Sequence, residues 1–148
     1  MSTRILLPVD RSEHALAACK LALELFDDGT FVFLHVIDPA EASFSTESAV
    51  PNIPEGWYEQ EQTRADRIFE ELESLADSHG HETERRIEVG KPGQTIVDTA
   101  GDDDVDHIVM GSHGRKGVSR LLLGSVAETV VRLAPVPVTV ARTDSDER

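Results

Sequence analysis

The chain has 148 residues, of which 39% are hydrophobic and 5% aromatic, as expected for one domain with a mostly aliphatic core that buries roughly 68–70% of its unfolded surface. Twenty-eight acidic residues against 14 basic ones give a net charge of −14, which disfavours nucleic acid as the main partner, because a phosphate backbone is held by a surplus of lysine and arginine. No run approaches the ~20 apolar residues of a membrane span, no signal-peptide pattern precedes Arg4-Ile5-Leu6-Leu7, and Cys19 is the only cysteine, so no internal disulfide can form and a cytoplasmic location is expected.

Ile5 to Asp10 is a short apolar run ending in a polar turn, the pattern of a strand buried on both faces in a parallel sheet. Ser12 can cap a following helix, on which Ala15, Ala18, Cys19, Ala22 and Phe26 share one face until Asp27-Asp28-Gly29 stops it. Cys19 therefore reads as a packed core thiol. Phe31 to Ile37 is a second buried strand that includes His35. From Asp38 to Gly56 three prolines and many Ser, Glu and Ala residues give no sustained periodicity, and a loop of this length is either functional or disordered. Ala65, Ile68, Phe69, Leu72, Leu75, Ala76 and His79 mark the inner face of a long helix closed by Gly80, and Glu84 to Val89 forms a third strand.

Pro92-Gly93 opens a short helix carrying Ile96, Val97 and Ala100. The acidic run from Asp102 to Asp106 then reads as a solvated loop, since it has neither the EF-hand spacing nor a helical ligand pair for a metal. His107 to Gly111 is the fourth strand. A helix capped by Ser119 and running to about Leu133 turns Leu122, Val126, Thr129, Val130 and Leu133 inward, and Val136 to Ala141 is the fifth strand. Residues 1–143 make the domain and 144–148 a polar tail. Alternating strands and helices imply a parallel sheet with right-handed crossovers, and ligands of such sheets sit beyond the carboxyl ends of the strands, where strand order reverses. Asp10, Val36 to Asp38 and Met110 to Gly114 meet at that edge.

The stretch that carries chemistry is Gly111-Ser112-His113-Gly114, nine further residues, then Gly124-Ser125 within the next helical segment. Glycines without Cβ atoms let the backbone turn and present N–H groups to an anion, and a helix start adds favourable dipole energy. Residues 111 to 132 hold Arg115, Lys116, Arg120 and Arg132 against Glu128 alone, a local cationic surplus in an acidic chain and suited to a polyanion. Asp10 can accept two hydroxyl hydrogen bonds, as a ribose offers, although an Asp before a helix is also a common turn residue. Neither a Walker A motif nor G-x-G-x-x-G is present.

Ile5 to Asp10, Leu34-His35-Val36, Gly90-Lys91-Pro92 and above all Asp106 to Gly114 with Leu121 to Ala127 resemble the universal stress protein (UspA) family over nearly the whole chain. The resemblance implies an open parallel five-stranded sheet in the order 3-2-1-4-5 with helices on both faces, of the adenine nucleotide alpha hydrolase-like kind. It also implies a homodimer through the last strand, Pro137 to Arg142, and membership of the ATP-binding branch. Pro8, Val9 and Asp10 would border adenine and ribose, Val36 would meet adenine through its backbone, and Met110 would lie beside the nucleoside. Gly111, Ser112, His113, Gly114, Arg115, Gly124, Ser125 and Val126 would surround the phosphates.

The expected function is a stress or signalling protein that binds ATP, with Mg2+ or Mn2+ as accompanying ions and AMP, ADP or cyclic AMP as alternative ligands. No carboxylate in the motif is placed to orient His113 as a base, so no residue is assigned to catalysis. A slow ATP hydrolase and a nucleotide-independent dimeric scaffold are the competing readings. The acidity has two readings as well, a plain soluble surface or adaptation to a high-salt cytoplasm in which carboxylate repulsion is screened.

Overall fold

In a computed structural model of the chain, which describes residues 3–9, 13–42, 54–112 and 123–142, five parallel strands form one sheet. They are β1 (Arg4–Pro8), β2 (Thr30–Ile37), β3 (Glu82–Val89), β4 (His107–Gly111) and β5 (Val138–Ala141), in the spatial order β3-β2-β1-β4-β5. Four helices connect them: α1 (Glu13–Leu25), α2 (Trp57–Ser78), α3 (Pro92–Asp102) and α4 (Ser125–Leu133). This is the fold class that the alternation of strand and helix patterns implies.

Side chains alternate across the sheet and divide the core in two. Ile5, Leu7, Phe31, Phe33 and Val109 pack with α1 and α2, whereas Leu6, Val32, Leu34, Ile108 and Met110 pack with α3 and α4. Full burial of each large apolar side chain contributes roughly 1.5–3 kcal/mol, which is why β1, β2 and β4 read as almost continuous apolar runs. Cys19 is fully buried on α1 among Ala15, Ala18 and Ala22, as its helical spacing implies.

Several boundaries differ from expectation, each for a physical reason. Helix α2 begins at Trp57, two turns before Ala65, because its buried stripe starts at Glu61, a charged residue that breaks the apolar periodicity and pairs with Arg64 at 2.9 Å. His79 caps the helix and is exposed, and it is His81, two residues on, that is buried, stacked on Phe31. Strand β3 begins at Glu82, because pairing with Thr30 of β2 continues through two outward-facing glutamates. Strand β5 begins at Val138, and Leu133 is 47% exposed at the end of α4. A 3-10 turn occupies Pro39–Ala42 in the region read as loop. The proposed caps Ser12 and Ser119, inward-facing Leu122, and the rest of the 38–56 segment from residue 43 to 53 lie outside the described residues.

The acidic run is more than a solvated loop. Asp106 accepts from the Arg4 N–H at 2.8 Å, the Asp103 carbonyl accepts from Arg4 Nε at 3.0 Å, and the Asp103 carboxylate pairs with Arg86. Arg4 also pairs with Glu84 at 2.7 Å, so these charges tie β1, β3 and the end of α3 together at the amino edge of the sheet.

Candidate functional site

At the carboxyl edge the sheet opens on both sides of β1. Backbone groups in a strand alternate between neighbours, and the Arg4 carbonyl accepts from Asp106 N–H just ahead of β4, so Arg4, Leu6 and Pro8 direct their backbone groups toward β4. Proline has no N–H. The β1–β4 ladder accordingly covers only Ile5↔His107 and Leu6↔Ile108, although β4 continues to Gly111 beside β5. The gap falls where strand order reverses, the position at which open α/β sheets take ligands.

Toward β2 the ladder ends with Val9 N–H donating to the Leu34 carbonyl at 2.8 Å. Leu34 faces β1, so two residues on Val36 does too, at the level where β1 has already ended. The cleft is therefore walled largely by main chain: Val36 on one side, Val109 and Gly111 on the other.

The two ends of the glycine signature meet. Gly124 N–H donates to the Ser112 carbonyl at 2.8 Å and Ser112 N–H to the Ala141 carbonyl at 3.0 Å. Gly124 is the N-cap of α4 with an extended backbone, and Ser125 is the first helical residue. The pair thus sits at the helix start and not within the helix, where free N–H groups and the positive dipole end are found. Met110, Val36 and Val126 belong to the core half shared with α3 and α4, and Pro8 projects to the same face by alternation. Val9 belongs to the opposite half. Asp10, His113, Gly114 and Arg115 lie outside the described residues.

Gly111 has a packing role that its pattern does not announce. It lies in a strand, and a Cβ built on it would stand 2.7 Å from the Cβ of His14 and 3.3 Å from the His14 carbonyl oxygen. Its missing side chain lets the first turn of α1 cross the end of β4. Sequence reasoning also passed over His35 as a plain core residue. It is buried, its Nδ1 lies 3.3 Å from the Val9 carbonyl oxygen, and its Nε2 is buried with no hydrogen-bond partner among the described residues. A lone histidine closing an apolar strand next to the ligand edge was the available signal.

Among the described residues no group of three His, Cys, Asp or Glu side chains gathers to hold a metal ion, and no helix is long and apolar enough to cross a membrane. Burial pushes the Cys19 thiol up to about 12, which leaves it unreactive as a nucleophile. A groove of about 650 Å³ between α2 and β3, lined by Glu70, Glu73, Asp77, Glu82 and His81 among others, lies at the amino edge, away from this cleft.

Residues 1–142 match the sequence profile described as the universal stress protein family. A universal stress protein of Methanocaldococcus jannaschii is 33% identical over 155 aligned positions that cover 96% of each chain, and a second from the same organism is 30% identical, covering 97% of this chain and 84% of that one. The solved structure of the first superimposes with a TM-score of 0.72 at 31% identity, covering 97% of this chain and 98% of that one. A UspA structure from Lactobacillus plantarum also gives a TM-score of 0.72, at 27% identity and with 95% and 97% covered.

Proposed function

Since the chain belongs to the universal stress protein family, we propose that it is a cytoplasmic stress or signalling protein that binds an adenine nucleotide, ATP first among them, at the opening between β1 and β4. The observation that carries this reading is the closure of the signature by Gly124 N–H on the Ser112 carbonyl, which brings the start of α4 to the end of β4 beside the gap left by Pro8. Phosphates would lie at Gly111, Ser112, Gly124, Ser125 and Val126, with His113, Gly114 and Arg115 from the same signature. The base would sit by Pro8, Val9, Val36 and Met110, and Asp10 would take the ribose. Mg2+ or Mn2+ would arrive on the phosphate oxygens of the nucleotide. Solved structures sharing this fold include one in complex with cAMP, one from Arabidopsis thaliana with AMP bound and one from Archaeoglobus fulgidus in complex with dAMP; those ligands define the panel to compare with ATP.

Thermal unfolding with ATP, ADP, AMP and cAMP tests the proposal. At a ligand concentration about 100 times the dissociation constant the gain is roughly 2.7 kcal/mol, and at roughly 2–4 °C per kcal/mol the midpoint rises by about 5–11 °C. No rise with any of the four overturns the reading. Phosphate release slower than about 1 per second is expected, and faster release makes the chain an enzyme. For the homodimer, expected through Pro137 to Arg142, β5 (Val138–Ala141) ends the sheet order next to β4, and α4 carries Val131 and Leu133, each 47% exposed. Sedimentation at micromolar concentration checks it, and a monomer there refutes it.

A further inference from the structure

The β1–β2 ladder stops one rung short of where the strands allow. After Val9 N–H donates to the Leu34 carbonyl, the next parallel rung would run from Val36 N–H to the Val9 carbonyl, since Leu34 and Val36 direct their backbone groups to the same side. Among the described residues that bond is absent. The Val9 carbonyl oxygen instead faces Nδ1 of His35 at 3.3 Å. A carbonyl only accepts, so Nδ1 carries a proton and donates it to the Val9 carbonyl. His35 is 6% exposed, and Nε2 has no partner among the described residues. A buried polar atom left unpaired costs stability, and a leucine would fill this place in the core half formed with α1 and α2 without that cost. What the histidine offers in exchange is the hydrogen bond from Nδ1.

We infer that His35 is a positioning residue: its imidazole occupies the Val9 carbonyl in place of the Val36 N–H, and so keeps that N–H open toward the ligand cleft. The inference rests on the nucleotide reading for its consequence, because Val36 is where the base would be met through the backbone. A purine edge presents both acceptor nitrogens and an amino group, and a free backbone N–H with its neighbouring carbonyl matches that pattern. Without the imidazole, the Val9 carbonyl is left to the Val36 N–H, the ladder closes by one rung, and a donor is withdrawn from the cleft.

The test compares wild type, His35→Leu and His35→Asn. Asparagine places an N–H the same number of bonds from Cβ as Nδ1 and has nothing at Nε2, so it should restore the wild-type arrangement. Amide hydrogen exchange by NMR on the unliganded proteins is expected to show fast exchange at Val36 in wild type and His35→Asn and slower exchange in His35→Leu. Calorimetric titration with AMP and with ATP is expected to show His35→Leu weakened about fivefold or more, the equivalent of one lost hydrogen bond, with His35→Asn within about threefold of wild type. Equal affinity of His35→Leu and wild type, or equal loss in both variants, overturns the inference. If His35→Leu does not fold, wild-type exchange decides alone: a Val36 amide as slow as those of His35 and Ile37, which face β3, overturns it. If wild type binds neither nucleotide, the functional reading fails while the exchange comparison still judges the role of His35.

Discussion

Substituting Gly111 by alanine separates two reasons for the first glycine of the signature. The new Cβ would stand 2.7 Å from the His14 Cβ and 3.3–3.4 Å from the His14 carbonyl group. Two carbon atoms rest at about 3.5–4.0 Å, so the first turn of α1 must retreat by roughly 1 Å, and no rotamer change can help because every atom involved belongs to or adjoins backbone. Overpacking of this kind costs typically 1–3 kcal/mol. Against it, alanine narrows the unfolded ensemble and returns about 0.4–1 kcal/mol. The net expectation for Gly111→Ala is a loss of about 0.5–2 kcal/mol in the absence of any nucleotide. With a urea slope of about 1–3 kcal/mol per molar, the unfolding midpoint falls by several tenths of a molar at an unchanged slope. If the glycine were needed only to admit a phosphate, the unliganded variant would be as stable as wild type or slightly more so. An unchanged or raised midpoint therefore refutes the packing argument.

Three further predictions follow from the geometry. Cys19, fully buried with its thiol raised to about 12, should react with a disulfide reagent no faster than the protein opens, so labelling should accelerate with denaturant in step with unfolding; rapid labelling of the native protein would refute its burial. Glu84 and Glu73 are held below the ordinary carboxylate value by hydrogen bonds from Arg4 and Arg85 respectively. Their stabilisation is present above the unfolded value near 4.3 and is lost as pH falls through the lower folded values, because the unfolded chain takes up those protons first. Both carboxylates are partly solvated, so each contributes less than about 1 kcal/mol, and the acid limb of the stability curve should flatten in Arg4→Met. Burial holds the His107 imidazole below its ordinary value beside the Thr139 hydroxyl at 2.7 Å. Stability should fall as pH drops below about 6.5, and His107→Gln should reduce that slope.

The sheet order came from the family resemblance, whereas the placement of most elements was legible because β1, β2 and β4 are buried on both faces, and burial writes itself into composition as unbroken apolar runs. Edges were less legible for the same reason. Strand β3 carries Glu82, Glu84, Arg85 and Arg86 outward, and its first rung at Glu82 has no apolar signal to announce it. The start of α2 was hidden by Glu61, whose charge is met by Arg64 and so survives at a buried position that a hydrophobic template scores as solvent-facing. At the candidate site, the glycine signature marked Gly111 and Gly124 but not how they pack. Gly111 answers to a helix crossing, a contact between residues 97 positions apart that no local pattern encodes. Gly124 and Ser125 begin a helix where periodicity placed them inside one.

What unites the opening at the carboxyl edge is subtraction. Pro8 contributes to the cleft by lacking an N–H, and His35 by diverting a carbonyl from the rung it would otherwise complete. Each removes a rung that the strands would make by default, and together they leave the ladders of β1 short at the carboxyl edge. Recognition through such groups suits a chain with a net charge of −14. Repulsion between a polyanionic ligand and distant carboxylates decays within about 8 Å at physiological salt, whereas hydrogen bonds from the main chain and the dipole of α4 act at contact distance and are indifferent to the charge of the rest of the surface. An acidic protein can then hold an anion without a large cationic patch, provided its backbone is left open where the anion must sit.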